Sequence, residues 1–184
     1  MTTSATLAVV TLLLSGGIRA ADPPVGPAPT KEHEWLKQLE GEWVTETEAL
    51  MGPGQPPIKS KGTEAVRSLG GFWTLGEIKS DFMGTPMTGI MTLGYDPKAK
   101  KYVGTWVCSA DGHFWKYEGS LDAAGKVLTL NTEGPDMSAP GKLAKMKDVI
   151  EIKDKNHRTL NSFMQGADGK WTQFMTMNFR RKSP

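Results

Sequence analysis

The sequence has little cysteine and little net charge, and both shortages exclude classes of protein. Its 184 residues include a single cysteine, Cys108, so no disulfide can form within the chain. Lys and Arg number 22 against 20 Asp and Glu, and the net charge of +2 gives no electrostatic reason to expect nucleic acid or an anionic membrane as a partner. The sequence also has no Gly-rich phosphate loop, no Gly-x-Ser-x-Gly, no His-Glu-x-x-His and no paired-cysteine motif. We therefore predict no catalytic residue, metal or cofactor from a motif.

Long hydrophobic runs are missing as well. The apolar run from Leu7 to Leu14 is far shorter than the ~20 residues that span a bilayer. Small residues follow it, and cleavage after Ala20 fits a secretory signal peptide, although no Lys or Arg precedes the run. We predict a signal peptide over residues 1–20, a Pro-rich linker over residues 21–30 and a single β-barrel domain over residues 31–184, with export to the periplasm or the medium.

A short helix and then a long series of strands follow the linker. Residues 31–39 place apolar side chains at helical spacing, with Thr30 as a suitable N-cap and Gly41 as the stop. From Trp43 onward the hydrophobic pattern has a period of two, which indicates strands. The ten predicted strands are residues 43–50, 61–69, 72–81, 87–95, 101–109, 113–120, 126–132, 146–153, 158–165 and 171–180.

Turn residues separate these strands, and no helical pattern interleaves with them. Asp, Gly, Asn and Pro occupy most of the connections, which is typical of hairpins, and the one long interruption is predicted at residues 133–145. A meander of hairpins protects its edges best by closing. We predict an all-β fold, an antiparallel up-and-down barrel of about ten strands with a short N-terminal helix. Its interior is wider than a packed eight-stranded core and can hold a small ligand.

The tract Gly41-Glu42-Trp43 opens the first strand after a short helix. This arrangement resembles the lipocalin and fatty-acid-binding (calycin) barrels, in which the Trp closes one end and an Arg of the last strand lies over its ring. Arg180 and Arg181 end the last predicted strand. The resemblance implies a structural signature of Gly41, Trp43 and Arg180, with a cation–π contact between the ring and the guanidinium.

A second resemblance covers most of residues 36–182. The tracts Leu-Gly-Gly-Phe-Trp, Leu-Gly-Tyr-Asp and Tyr-Val-Gly-Thr-Trp, at residues 69–73, 93–96 and 102–106, are similar to those of a bacterial lipocalin-like family. That family is catalogued as a domain of unknown function, fifteen-seventy-nine in its series, and its members often carry Asp where this chain has Cys108. The resemblance implies a calycin-type barrel and no particular activity.

Two local features suggest chemistry. Cys108 and His113 flank a four-residue loop, where they could form an activated nucleophile or, with Asp111, part of a metal site; the alternative is a small buried thiol beside a surface His. Haem-binding nitrobindin-like barrels belong to the same superfamily, so His157 is a candidate ligand, but its place in a turn favours a solvated side chain. His33, on the leading helix, is a weaker candidate still.

The residues most able to line a cavity are Trp, Met and Tyr side chains on the strands, together with acidic residues of the first three strands. Inward carboxylates among Glu46, Glu48, Glu64 and Glu77 would orient a polar ligand group, whereas outward positions would be solvated. The predicted ligand-binding set is Trp73, Glu77, Met91, Trp106, Trp115, Tyr117, Met175 and Met177.

We interpret the chain as an exported barrel that binds a small apolar or amphipathic molecule. Two alternatives stay open at this point: an enzyme on the same barrel that uses Cys108 and His113 or an inward Glu, and a packed structural or interaction domain without a ligand. The sequence does not indicate an oligomeric state.

Overall fold

A computed structural model describes residues 27–50, 52, 54–82, 84–136, 139 and 141–182. The predicted signal peptide and most of the predicted linker lie outside the described residues. One helix, α1, spans Lys31–Leu36 and continues as a 3₁₀ turn over Lys37–Leu39. Ten strands follow: β1 Gly41–Ala49, β2 Ile58–Leu69, β3 Trp73–Phe82, β4 Thr85–Asp96, β5 Lys101–Cys108, β6 Trp115–Leu121, β7 Val127–Pro135, β8 Leu143–Asp154, β9 His157–Gln165 and β10 Trp171–Arg181.

The strands form a closed antiparallel barrel in sequence order. Each strand pairs with its neighbours in the chain, and β1 also pairs with β10, with Thr45 opposite Phe179. Closure leaves the sheet without an unpaired edge. The predicted ten-stranded up-and-down barrel and its short N-terminal helix are therefore confirmed.

The long interruption predicted at residues 133–145 was wrong. Strands β7 and β8 extend through this region, with Glu133 opposite Lys145 and Pro135 opposite Leu143, so the connection is only residues 136–142. Gly134 is required within β7 because a Cβ there would overlap the ring of Trp115. Gly134 and Pro135 therefore lie at the end of a strand and do not mark the start of a loop.

Helix α1 covers one end of the barrel, which we call the closed end. Trp35 donates its indole N–H to the carbonyl of Gly125 in the β6–β7 turn at 2.9 Å, and Tyr102 donates its hydroxyl to the carbonyl of Glu32 at 3.1 Å. The buried His33 ring lies 3.1 Å from the carbonyl oxygen of Tyr95. These contacts join the helix to several strands and turns, so the closed end is packed rather than open.

Trp43 is the centre of the closed end. Its side chain is 1% exposed, and its indole N–H donates to the carbonyl of Leu39 at 2.9 Å. The guanidinium of Arg181 lies 4.2 Å from the ring centroid and also donates to the carbonyls of Glu40 and Lys155. The arginine of the last strand that lies over the ring is therefore Arg181.

The assignment of this role to Arg180 was wrong, because strand alternation turns Arg180 to the exposed outer face. Gly41 does belong to the arrangement. It has a φ of +114°, and a Cβ there would overlap the guanidinium of Arg181.

The two adjacent arginines provide a matched test of the closed end. We expect Arg181→Ala to lower the free energy of unfolding by about 1–3 kcal/mol, because it removes the cation–π contact and the hydrogen bonds to three carbonyl groups, those of Gln38, Glu40 and Lys155. The control Arg180→Ala should stay within about 0.5 kcal/mol of the wild type. Urea titration measures both, and equal losses in the two variants would contradict the assignment.

Candidate functional site

The barrel lumen contains a cavity with a volume of about 480 Å³. Ala49, Asp81 and Ala110 reach it from the strand ends farthest from α1, and we call this the open end. At its other end the cavity stops against Leu39 and Phe179, next to Trp43. The cavity is therefore a pocket with one closed end.

The lumen stays open because large aromatic rings lie flat against its wall. A Cβ at Gly89 would overlap the ring of Trp106, as one at Gly134 would overlap that of Trp115. Both tryptophans line the cavity. The glycines provide the space into which the rings settle, so the rings cover the wall and do not fill the centre.

Six of the eight predicted ligand-binding residues line this cavity: Met91, Trp106, Trp115, Tyr117, Met175 and Met177. Their role in binding remains a prediction, but the structure brings them together around one space.

The placement of Trp73 and Glu77 in the lumen was wrong. Thr74, Gly76 and Ile78 occupy the inner face of β3, so the alternate residues point outward. Trp73 is 39% exposed, and Glu77 pairs with Lys79 at 2.7 Å.

The side chains of Cys108 and His113 do not pair with each other as predicted, because each has another partner. The Cys108 thiol lies 3.7 Å from a carboxylate oxygen of Asp111, and Nε2 of His113 lies 3.1 Å from the carbonyl oxygen of Glu133. The His113 ring packs edge-on against Trp115. These contacts give no support to an activated Cys–His nucleophile.

The histidines and acidic residues do not form a metal site either. Among the described residues, no group of three or more His, Cys, Asp or Glu side chains could hold a metal ion. The His157 ring is half-buried at the start of β9, with Nε2 3.3 Å from the side-chain oxygen of Asn178. A haem in this barrel would have to lie in the lumen. His157 is not one of the residues that line the lumen, so it is not placed to ligate a haem there.

One ion pair is buried in the lumen near the closed end. Arg158 contacts Glu64 across the barrel, and the two side chains are 4% and 7% exposed. The guanidinium lies 3.7 Å from the centroid of Phe179 and 4.8 Å from that of Trp43. Burial raises the pKa of Glu64, and the adjacent guanidinium opposes that shift. Of the four acidic residues considered from the sequence, Glu64 is the inward one that meets a cation.

A second polar group lies on the lumen wall nearer the open end. Asp148 of β8 accepts a hydrogen bond from the hydroxyl of Tyr117 at 2.8 Å and another from that of Ser162 at 2.6 Å. Burial raises the pKa of the Asp148 carboxyl group, and the two hydroxyl donors only partly offset this effect. Burial, together with the nearby carboxyl group, also raises the pKa of Tyr117.

Sequence reasoning missed Asp148, Ser162 and Arg158. Each is polar at an inner-face position, and the only sequence signal was its phase in the alternation, for example Met146, Asp148 and Ile150 along β8. Polar residues of a half-buried strand usually lie on its outer face, so the residue types alone do not indicate an inner position.

The rest of the lining is mainly apolar, with a few polar atoms that have no partner. The indole nitrogen of Trp115, the hydroxyl of Thr132 and Nε of Arg158 are buried without a hydrogen bond among the described residues. Buried polar atoms normally have partners. These atoms are therefore suited to meet a polar group of a bound molecule.

The chain belongs to a family defined by its sequence pattern. A family model described as "Protein of unknown function (DUF1579)" matches residues 28–181. This match confirms the resemblance drawn from the Gly- and Trp-containing tracts. No curated protein matches the sequence.

One solved structure supports the barrel fold. The crystal structure of Rv2717c from M. tuberculosis is similar with a TM-score of 0.59 and 12% identity, over 85% of this chain and 100% of that one. A redesigned β-barrel, mFAP0, bound to DFHBI, aligns with a TM-score of 0.44 and 13% identity over 78% of this chain and 99% of that one. The first of these likenesses shows the fold alone.

None of the described helices has the length and apolar character that a bilayer crossing requires.

The raised pKa of Asp148 predicts a pH-dependent difference in stability. The folded chain holds this proton at pH values where the unfolded chain, with a pKa of about 3.9, has already lost it. The favourable contribution is therefore complete below the unfolded pKa and is lost as the pH rises through the folded pKa. Asn at this position has nearly the same shape and no proton to lose.

We expect Asp148→Asn to gain stability relative to the wild type as the pH rises, by up to about 1.4 kcal/mol per pH unit between the two pKa values. Urea titrations across about pH 4 to pH 8 measure this difference. Asp168→Asn, in the exposed β9–β10 turn, is the control and should show no such trend. A pH-independent difference for Asp148→Asn would contradict the account.

Proposed function

We propose that this protein binds a small apolar or amphipathic molecule in the lumen of its barrel. The observation that carries the proposal is the lumen cavity of about 480 Å³, closed at one end by Leu39 and Phe179 beside Trp43 and open at the other. Ligand pockets typically have about 300–1,000 Å³, mostly apolar walls and a few placed polar groups. The lumen has these properties.

The apolar wall supplies the affinity in this proposal. Burial of apolar surface contributes about 25 cal/mol per Å², so a small molecule held among Met91, Met175 and Met177 gains several kcal/mol. Methionine side chains adapt to irregular shapes, which suits a pocket for a flexible apolar chain. The polar groups, Asp148 with Tyr117 and the Glu64–Arg158 pair, would orient the bound molecule.

We also propose that the chain is exported. The support is the apolar run Leu7–Leu14 and the small residues before Ala20. A barrel that carries a small molecule outside the cytoplasm fits both features. Comparing the mass of the mature protein from its own host with that of the full chain tests this, since cleavage after Ala20 removes a fixed mass.

Two substitutions on β4 test binding in the lumen. Met91→Trp adds a ring inside the cavity, whereas Thr88→Trp adds the same ring on the exposed outer face. We expect the wild type and Thr88→Trp to bind Nile red, a neutral apolar dye, and Met91→Trp to bind it at least about tenfold more weakly, a loss of about 1.4 kcal/mol.

Dye fluorescence titration measures the three affinities, and circular dichroism checks that each variant is folded. Overpacking costs stability of about 1–3 kcal/mol, so unfolding curves are needed for both variants. If the folded Met91→Trp variant binds the dye as tightly as Thr88→Trp, the lumen is not where the dye binds.

A further inference from the structure

Acidic residues outnumber basic residues among those that line the lumen. Four acidic residues are among those that line the cavity, Glu64, Asp81, Asp111 and Asp148, whereas Arg158 is the one basic residue of the described lining. The Asp81 carboxylate accepts a hydrogen bond from the N–H of Gly84 in the β3–β4 turn. Glu64 and Arg158 compensate each other. The remaining excess of carboxyl groups runs from Asp81 and Asp111 at the open end to Asp148 inside.

Asp148 is the carboxyl group that a bound molecule would meet. No Lys, Arg or His of the described residues pairs with it, and its partners are the hydroxyls of Tyr117 and Ser162. Each carboxylate oxygen has two acceptor sites and uses one of them in these bonds. Asp148 therefore keeps the capacity to accept further hydrogen bonds, in surroundings where a charge is weakly screened.

Other groups of the wall are suited to the same kind of partner. The hydroxyl oxygen of Thr132 is buried without a hydrogen-bond partner among the described residues, and it can accept an N–H. The rings of Trp106 and Trp115 lie flat against the wall, and their faces attract cations. Acceptors and aromatic faces thus occur on neighbouring strands of one side of the lumen.

We propose that the lumen selects an amphipathic amine, a mainly apolar molecule with one protonated nitrogen. The N–H groups donate to Asp148, and the apolar part packs along the methionine side chains toward the closed end. This inference rests on the proposed function and deepens it by naming the class of ligand.

The same arrangement disfavours a fatty acid. A ligand carboxylate in the lumen would need a cation, and the charge of the Arg158 guanidinium is already balanced by Glu64, although its Nε is left without a partner among the described residues. A carboxylate near Asp148 would meet a like charge wherever Asp148 is ionised, and it would find no cation there when Asp148 is protonated. Anionic and cationic ligands with the same tail should therefore differ strongly in affinity.

Three ligands with one tail and different heads test the proposal: decylamine, decanol and decanoate. Each displaces Nile red from the full chain at concentrations below those at which the ligand aggregates. We expect decylamine to bind about ten- to hundredfold more tightly than decanol, which is the range of a charge-assisted hydrogen bond, and decanoate to bind most weakly.

Asp148→Asn is the matching variant. It should lose the preference for decylamine over decanol. Glu118→Gln is the control, because Glu118 lies on the outer face of β6, one residue from Tyr117, and pairs with Lys101. This control should keep the full preference.

The outcomes separate the two proposals. If decanol or decanoate binds the wild type as tightly as decylamine, the amine proposal is overturned and ligand binding in the lumen stands. If Nile red and all three ligands fail to bind, the proposed function itself fails. The wild-type series decides the matter even if the Asp148→Asn variant does not fold.

Discussion

The pairing of the first strand with the last is the constraint on which the structure depends. β1 bonds to both β2 and β10, so all ten strands belong to one closed sheet. The same register sets Trp43 opposite Arg181 and Thr45 opposite Phe179, and so assembles the closed end from the two ends of the domain. Without this pairing, β1 and β10 would be exposed edges, and the lumen would have no continuous wall.

Closure with ten strands also explains why there is a cavity. About eight strands enclose a space that side chains can fill, and more strands enclose a wider one. Near the closed end, Trp43, Phe179 and the Glu64–Arg158 pair fill that width. Toward the open end, inner positions carry smaller residues such as Ala49, Ser60 and Ser80, and the space remains. The depth of the pocket follows from this change in side-chain size.

The buried polar groups cost stability, and this cost is informative. An ion pair in a barrel interior loses hydration that its mutual attraction only partly returns. Asp148 has no cation to offset its burial, and its raised pKa reflects that. A chain that needed only a packed interior would be at least as stable with apolar residues at these positions. Their presence beside open space is the physical reason to propose a binding role for the lumen.

Much of the fold followed from local pattern, and the polar part of the site did not. Alternation along the strands and the turn residues between them predicted ten strands, and closure follows from the hairpin order. Six of the eight predicted lumen residues line the cavity, and their prediction rests on side-chain type. Trp73 and Glu77 lie on the outer face of β3, because side-chain type does not decide which face of a strand points inward.

The polar groups depend on contacts distant in sequence. Arg158 and Glu64 are 94 residues apart, and Asp148 and Ser162 are 14 apart. Nothing within either segment indicates its partner, because register across the barrel decides which polar side chains meet.

The most direct test of the account is native mass spectrometry of the protein purified from its own host, followed by extraction of anything bound. The account predicts a complex heavier than the chain by the mass of one small, mainly apolar molecule, which is released on unfolding. Refolded protein should then take up Nile red. A chain mass with nothing bound, together with refolded protein that takes up no dye, would contradict the central claim that the lumen is a binding site.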